Sequence, residues 1–245
     1  MKIIPLMEGV FTIDHSKRFV PFHLGQDNLQ ERPTGSLLVE IQPFLVVTDD
    51  DIILLDTGLG YRTDQGVLQI HQNLVNAGIN PMDVTKVLLS HLHKDHAGGI
   101  AGKDPATGDY TLTFPGATYY VQRRELAYAL EKGSPSYIPE ELHPLERTDR
   151  VVFLEGDEGS IGPSIRYEVT GGHSPFHQVF WIRDKLFFGG DDAPQLSQMK
   201  NRFIAKYDFD GKKCMELRRK WWQEAQEQHW TLLFYHDVKY PSISL

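Results

Sequence analysis

The chain has almost no cysteine and no long apolar run. Cys214 is the single cysteine among 245 residues, so an internal disulfide cannot form. This scarcity is typical of proteins kept in a reducing compartment, and we expect a cytoplasmic protein. No stretch approaches the ~18 uncharged apolar residues that a membrane span requires, and the N-terminus lacks the apolar core of a signal peptide. We therefore expect neither a membrane segment nor a membrane partner.

Positive charge is also in short supply. The chain carries 25 Lys and Arg against 33 Asp and Glu, which gives a formal net charge of −8. A nucleic-acid surface usually requires a basic face, so a nucleic-acid partner is not expected. The densest basic run spans 212–220 and is interrupted by Glu216, which is typical of an exposed helix face. A small-molecule substrate is therefore the expected partner.

The order of apolar segments predicts an α/β or α+β fold. Hydrophobic residues make up 40% and charged residues 24%, as in ordinary globular proteins. No repeat or linker-like tract is present, so we expect one domain over 1–245. Strands are predicted at 36–41, 44–48, 52–55, 86–90, 118–121, 151–154, 164–169, 178–183, 185–188 and 231–235, and helices at 64–77, 123–132 and 211–229, with a loop over 133–150. This mixture indicates sheets that bury their inner faces against each other or against helices.

A histidine cluster follows the apolar segment 86–90 and precedes the Gly98-Gly99 pair. It reads His91-Leu-His93-Lys-Asp95-His96 and holds three of the 11 histidines of the chain within six residues, so a chance grouping is a poor explanation. His91 and His93 are two residues apart, and an extended segment points both imidazoles the same way. The chain then turns and presents Asp95 and His96 from a second direction. Neutral imidazoles beside a carboxylate are the ligands that Zn²⁺ prefers.

Three further sites with residues that could bind a metal stand at the ends of predicted strands. His173 follows Gly171-Gly172, the Asp191-Asp192 pair follows Gly189-Gly190, and His236 follows the apolar run 231–235. Each position alone is a weak signal, because a single histidine after a strand is more often structural. Together with the cluster, they indicate loops that converge on one site.

These motifs, taken in order, resemble those of the metallo-β-lactamase superfamily of metal-dependent hydrolases. Leu55-Asp56-Thr57-Gly58 is similar to the first motif, and the histidine cluster is similar to the second. His173, Asp191 and His236 match the third, fourth and fifth. The resemblance implies a four-layer αββα sandwich, with two central sheets flanked by helices and the metals at one edge.

The resemblance also implies two divalent metal ions. The implied ligands are His91, His93 and His173 for the first ion, Asp95, His96 and His236 for the second, and Asp191 as a bridge between them. Asp192 is the rival for the bridging role. Zinc is favoured, and manganese, iron and cobalt suit the same ligands.

Two more polar residues are expected behind the ligands. Asp56 is expected to orient a ligand or the histidine-rich loop, with capping of the Thr57-Gly58 turn as the alternative. His177, four residues beyond His173, is expected to support the site or to be structural rather than to bind metal.

Such a centre implies hydrolysis by a metal-bridging hydroxide that attacks an ester-like carbonyl. Asp95 is expected to act in catalysis by accepting or passing on a proton. The length and the N-terminal stretch look most like the acyl-homoserine-lactone lactonase branch, so a lactone or small ester is the expected substrate. One departure is Pro194, which stands where those lactonases carry a tyrosine that assists the substrate carbonyl.

Other activities of the superfamily stay open as alternatives. A phosphodiesterase or nuclease is disfavoured by the acidic composition, and a thioesterase by the short segment after His236. A mono-iron sulfur dioxygenase is disfavoured because the residues of the second metal site are complete. Several aromatic or nearby residues lie in segments that could flank the site, although packing roles are favoured for them: Phe22, His23, Tyr137, Phe203, Tyr207 and Phe209.

Overall fold

The structure is a computed structural model that describes residues 1–245. The strands are β1 (Lys2–Pro5), β2 (Gly9–Ile13), β3 (Phe19–Pro21), β4 (Leu37–Ile41), β5 (Phe44–Val47), β6 (Ile52–Leu55), β7 (Lys86–Leu88), β8 (Ala101–Lys103), β9 (Tyr110–Leu112), β10 (Thr118–Gln122), β11 (Val151–Leu154), β12 (Glu158–Ile161), β13 (Ile165–Val169), β14 (Gln178–Ile182), β15 (Leu186–Phe188), β16 (Thr231–Leu233) and β17 (Ser242–Ser244). The helices are α1 (Gln69–Asn76), α2 (Lys94–Ala97), α3 (Arg123–Lys132), α4 (Pro139–Leu142), α5 (Leu196–Lys200) and α6 (Gly211–Gln228).

Two six-stranded sheets form the middle of the molecule. The first sheet has the order β1-β5-β6-β7-β10-β11 and is parallel from β6 to β11. The second has the order β12-β13-β14-β15-β16-β17 and is antiparallel except where β15 pairs with β16. A three-stranded sheet, β3-β2-β4, and a two-stranded sheet, β8-β9, lie outside them.

Both large sheets are buried on two faces, because successive apolar residues of a strand pack into cores on opposite sides of the sheet. In β6, Ile53 and Leu55 belong to the core between the sheets, together with Phe180 and Phe188 of the second sheet. The residue between them, Leu54, belongs to a separate core on the opposite face. Strands buried on both faces read as continuous apolar runs, which is why the sequence segments were easy to identify as strands.

Helices cover the two outer faces. On the first sheet, Ile70 of α1 and Leu126 of α3 pack into the outer core. On the second sheet, Trp221 and Ala225 of α6 pack against strand residues such as Phe187. The order helix, sheet, sheet, helix confirms the predicted αββα sandwich. None of the helices combines the length and the apolar character needed to cross a bilayer.

The basic run at 212–220 is not entirely an exposed helix face, as the sequence had indicated. Arg218 is fully buried, and its guanidinium donates to the carbonyl oxygens of Asp192 and Phe203 and to the side chain of Gln198. The prediction was wrong at this residue because Arg218 lies on the inward stripe of α6. There it connects α6 to α5 and to the segments before and after α5.

Two local predictions also differ from the structure. The helix predicted over 64–77 begins only at Gln69, because Gly66 adopts a φ of 78° and closes a turn onto the Thr63 carbonyl. The predicted loop over 133–150 contains α4 and a 3-10 turn at His143–Glu146. Buried Leu142 and Leu145 anchor this segment to the outer core of the first sheet.

Candidate metal centre

The residues predicted as ligands lie together at one edge of both sheets. His91 and His93 follow β7, and Asp95 and His96 lie on α2 directly after them. His173 follows β13, Asp191 lies in a 3-10 turn after β15, and His236 follows β16. The first group comes from the first sheet and the second group from the second sheet. The site therefore exists only where the two sheets meet.

Three imidazoles form the first part of the site. His91 Nε2 lies 2.9 Å from His93 Nδ1, and His173 Nε2 lies 3.0 Å from the same nitrogen. Nitrogens that share one Zn²⁺ at about 2.0–2.1 Å lie a little over 3 Å from one another. The spacing of these three nitrogens fits one ion held between them.

A second group of ligand atoms lies beside the first. Asp95 Oδ2 is 3.8 Å from His96 Nε2 and 3.5 Å from His236 Nε2. The three ligand atoms lie within 4.8 Å of one another, as do those of the first group. A third group, His91, His96 and Asp191, shares one residue with each of these two sets, so the two sets of candidate ligands adjoin.

Asp191 stands between the two sets. Its Oδ1 lies 3.1 Å from His96 Nε2 and 3.0 Å from His236 Nε2, whereas its Oδ2 lies 3.2 Å from His173 Nε2. His96 Nε2 and Asp191 Oδ1 are buried, and neither makes a hydrogen bond of acceptable geometry although they lie 3.1 Å apart. Buried polar atoms are normally paired, so this pair of orphaned atoms fits a site built for a cation.

Asp192, the rival for the bridging position, faces away from the ligand sets. Its Oδ1 accepts a hydrogen bond of 2.7 Å from the backbone of His173, and its Oδ2 lies 3.1 Å from His177 Nδ1. His177 Nε2 in turn accepts from the backbone N–H of Asp191 at 3.2 Å. Asp192 and His177 therefore hold the loops of two candidate ligands, His173 and Asp191, in place.

Acceptors behind the site fix the direction of three imidazoles. Asp56 Oδ2 lies 2.7 Å from His96 Nδ1, Asp208 Oδ1 lies 2.8 Å from His173 Nδ1, and the Glu40 carbonyl lies 2.8 Å from His236 Nδ1. A proton held on Nδ1 by these acceptors leaves Nε2 free to bind a metal. Asp56 has a φ of 57°, an uncommon conformation for a residue with a side chain. Such conformations are found at functional sites that hold them in place.

Comparison with known proteins identifies the family. The family model described as the metallo-beta-lactamase superfamily matches residues 40–187. The chain belongs to the metallo-beta-lactamase superfamily. It is 30% identical over 228 residues to the N-acyl homoserine lactonase AiiA of Bacillus thuringiensis subsp. kurstaki, and the match covers 84% of each protein. It is 33% identical over 136 residues to the N-acyl homoserine lactonase AttM of Azorhizobium caulinodans, which covers 50% of this chain and 43% of that protein.

Solved structures of similar fold include a probable hydrolase and a lactonase. A probable metal-dependent hydrolase from Staphylococcus aureus has a TM-score of 0.77 at 20% identity and covers 99% of this chain and 91% of its own. The dizinc quorum-quenching lactonase AidC, in complex with a homoserine product, has a TM-score of 0.71 at 20% identity. The match covers 98% of this chain and 88% of the AidC chain. Membership of this superfamily, together with relatives that are lactone hydrolases, makes the chain a metal-dependent hydrolase.

The electrostatics of this superfamily member favour positive charge between the ligands. Burial lowers the pKa of His91 and His93 well below the usual value, and neighbouring imidazoles add to the effect. Burial also acts to lower the pKa of His96 and His236, but the charges of Asp191 and Asp95 outweigh it and raise both values. Burial acts to raise the pKa of Asp191, but the surrounding imidazoles hold it well below its usual range. The two carboxylates thus draw positive charge to the place where the ligand sets meet.

Several supporting residues of this hydrolase carry no signal in the sequence. Glu125 on α3 is fully buried and accepts from the backbone N–H of Leu92 at 3.2 Å and from the Ser174 hydroxyl at 2.8 Å. It therefore joins both histidine loops to one helix. Tyr235 stacks on the His96 ring at 3.9 Å and donates to the Asp95 carbonyl at 2.7 Å. In the sequence, Glu125 lies in a charged helical segment, and Tyr235 is the last residue of the apolar run 231–235.

A cavity of about 860 Å³ opens onto the site, and His93, Asp95, Asp191 and His236 form part of its lining. Of the aromatic residues considered in the sequence, Phe203 and Tyr207 line this cavity. Burial raises the pKa of Tyr207 to about 12, and the nearby Asp208 charge adds to it. Tyr137 is buried with its ring 4.8 Å from that of His93, Phe22 is buried, and Phe209 is exposed.

Proposed function

We propose that the chain is a binuclear hydrolase of lactones or small esters and that residues 1–245 act as one domain. The proposed ligands are His91, His93 and His173 for one ion, Asp95, His96 and His236 for the other, and Asp191 for both. The observation that carries the proposal is the position of the Asp191 carboxylate, whose two oxygens face different ligand sets. Zinc is the proposed metal, since imidazole and carboxylate are its usual ligands.

Two divalent ions held there would lower the pKa of a bound water to about 7 and polarise a carbonyl oxygen. The residues of the chain supply the remainder of the chemistry. The Asp95 carboxylate is 14% exposed and lines the cavity, so it can accept a proton and return it to the leaving alkoxide. Its position is fixed because the Tyr235 hydroxyl donates to its backbone carbonyl.

Lactones and esters are proposed because relatives that match 84% of the chain are lactonases. The similar structure of AidC holds a homoserine product, which indicates the reaction that this fold supports in that protein. Pro194 offers no hydroxyl, but its carbonyl accepts from the backbone N–H of His236 at 3.0 Å and holds that ligand loop. The cavity wall contains the phenol of Tyr207.

Metal analysis and a substrate panel test the proposal together. We expect two zinc ions per chain and hydrolysis of lactones or aryl esters, whereas turnover of phosphodiesters alone would contradict it. One iron per chain with oxygen uptake would indicate the sulfur dioxygenase reaction instead.

Two variants test the ligand assignment. His93→Ala should reduce bound metal and abolish turnover. Asp191→Asn should weaken both ions together, because a shared ligand is lost. Asp149→Asn removes an exposed carboxylate remote from the site and is the matched control. If Asp191→Asn loses one metal equivalent and keeps the other at its original affinity, the bridging role is wrong.

A further inference from the structure

The wall of the cavity is strongly basic, although the chain as a whole is acidic. The cationic side chains that line it are those of Lys17, Arg32, Lys94, Arg202 and Lys206. Three carboxylates line it as well, and two of these, Asp95 and Asp191, belong to the candidate metal centre. Asp14 is therefore the one acidic side chain against five cations in the remainder of the wall. This excess contrasts with the formal net charge of −8 of the whole chain.

None of these five cations has a carboxylate partner at ion-pair distance. The ion pairs of lysine and arginine lie elsewhere, as with Arg123 and Glu155 or Arg183 and Asp49. Asp14, the nearest candidate in sequence, instead accepts from the backbone and hydroxyl of Ser16 at 2.8 and 2.6 Å. The charges of the wall are thus left available to a ligand.

The backbone of Lys17 and the side chain of Arg32 are held in defined positions. Lys17 closes a turn onto the Asp14 carbonyl at 3.0 Å and has a φ of 58°, a conformation that glycine or asparagine would adopt more easily. Arg32 donates to the carbonyls of Leu29 and Ser36 at 3.3 and 3.5 Å.

Lys94 brings positive charge next to the metal ligands. It lies between His93 and Asp95 on α2, is half-buried, and its ammonium is 5.8 Å from the centre of the Phe19 ring. Phe19 lines the same cavity, so the wall presents apolar surface beside the cations. A ligand that satisfies this wall carries an apolar portion and a negatively charged group.

We propose that the substrate of this cavity is an ester or lactone that also carries an anionic oxygen group, a carboxylate or a phosphate. This inference rests on the proposed ester hydrolysis and adds the charge of the substrate to it. The reacting carbonyl lies at the candidate metal centre, and the anionic group meets the cationic wall formed by Lys17, Arg32 and Lys94. Charged walls in a cleft also raise the rate at which oppositely charged ligands arrive, and salt screens this effect.

Matched esters test the proposal on the zinc-loaded protein. The pair is 4-nitrophenyl hydrogen adipate and 4-nitrophenyl hexanoate, which share a six-carbon acyl chain and differ by the terminal carboxylate. We expect kcat/KM to be about 10-fold higher for the adipate ester, as for one hydrogen bond to a charged group. The ratio should fall as ionic strength rises. A ratio of one at low salt overturns the proposal.

Substitutions test whether the cationic wall of the cavity causes the preference for the adipate ester. Lys17→Met and Arg32→Met should each lower the ratio of adipate to hexanoate kcat/KM by several-fold. Lys212→Met removes a charge from the exposed face of α6, away from the cavity, and should leave the ratio unchanged. An equal loss in Lys212→Met would show a general effect of net charge and would overturn the assignment. A matched 4-nitrophenyl 5-phosphonopentanoate shows which anion the wall prefers.

Calorimetric titration separates this inference from the proposed function. Adipate should bind the zinc-loaded protein more tightly than hexanoate, and Lys17→Met should reduce the difference several-fold. If no ester is hydrolysed but this pattern is found, the proposed reaction is wrong and the anion site stands. If esters are hydrolysed without preference and both acids bind equally, the anion site is wrong and the proposed reaction stands.

Discussion

The buried carboxylate of Glu125 should decide whether the two histidine loops keep their positions. Glu125→Ala removes the acceptor of the Leu92 N–H and of the Ser174 hydroxyl, both of which are buried. Each unpaired buried donor costs about 1–3 kcal/mol, so we expect the free energy of unfolding to fall by about 2–6 kcal/mol. Leu92 and Ser174 are neighbours of His91 and His173, so zinc affinity should fall as well.

Urea unfolding and competition with a zinc chelator measure the two effects separately. Glu131→Ala removes an exposed carboxylate from the same helix and should change neither quantity. Glu125→Gln keeps an acceptor for Leu92 and should recover part of both losses. If Glu125→Ala lowers stability but leaves zinc affinity at the wild-type value, Glu125 supports only the fold, and the reasoning about the loops is refuted.

Three other perturbations have expected outcomes. Asp208→Asn weakens the acceptor behind His173 and should reduce zinc affinity by about 10–100-fold, measured by chelator competition against Asp149→Asn. Gly60→Ala would place a methyl group onto the Gly98 carbonyl, so urea unfolding should show a larger loss of stability than for Gly66→Ala, where φ is also positive but the space is open. Burial raises the pKa of Glu8 to about 8 from 4.5, so the stability it contributes below pH 4.5 is lost as pH rises through about 8. Between pH 5 and pH 9, the free energy of unfolding of Glu8→Gln, measured in urea, should therefore rise by at least about 1.4 kcal/mol relative to that of the wild type. If the two proteins show the same dependence of this free energy on pH, the raised pKa of Glu8 is contradicted.

The central strands and the positions of the candidate ligands could be predicted from the sequence. Strands such as β6 and β14 are buried on both faces and therefore appear as apolar runs, and the polar residues that follow such runs stand out. His173 and His236 were found in this way. Their distance from His91 in the chain does not matter, because strand ends of both sheets meet at one edge.

The supporting residues could not be predicted, because their roles depend on what packs against them. Glu125 and Arg218 lie in helical segments rich in charge, and nothing in the local pattern separates them from exposed neighbours. Asp208 lies on a loop whose path is set by its contact with His173. The start of α1 was missed because the turn at Gly66 interrupts a helical pattern that includes the exposed Val67.

The origin of the ligands from two sheets has a consequence for how the protein opens. His91 and His96 belong to the N-terminal half of the chain, whereas His173 and His236 belong to the C-terminal half. A cation bound by residues of both halves would oppose their separation, because the halves could separate only after the cation was released. Amide hydrogens of β7 and β15 should then exchange with solvent more slowly when zinc is present, and chelation should speed both strands together.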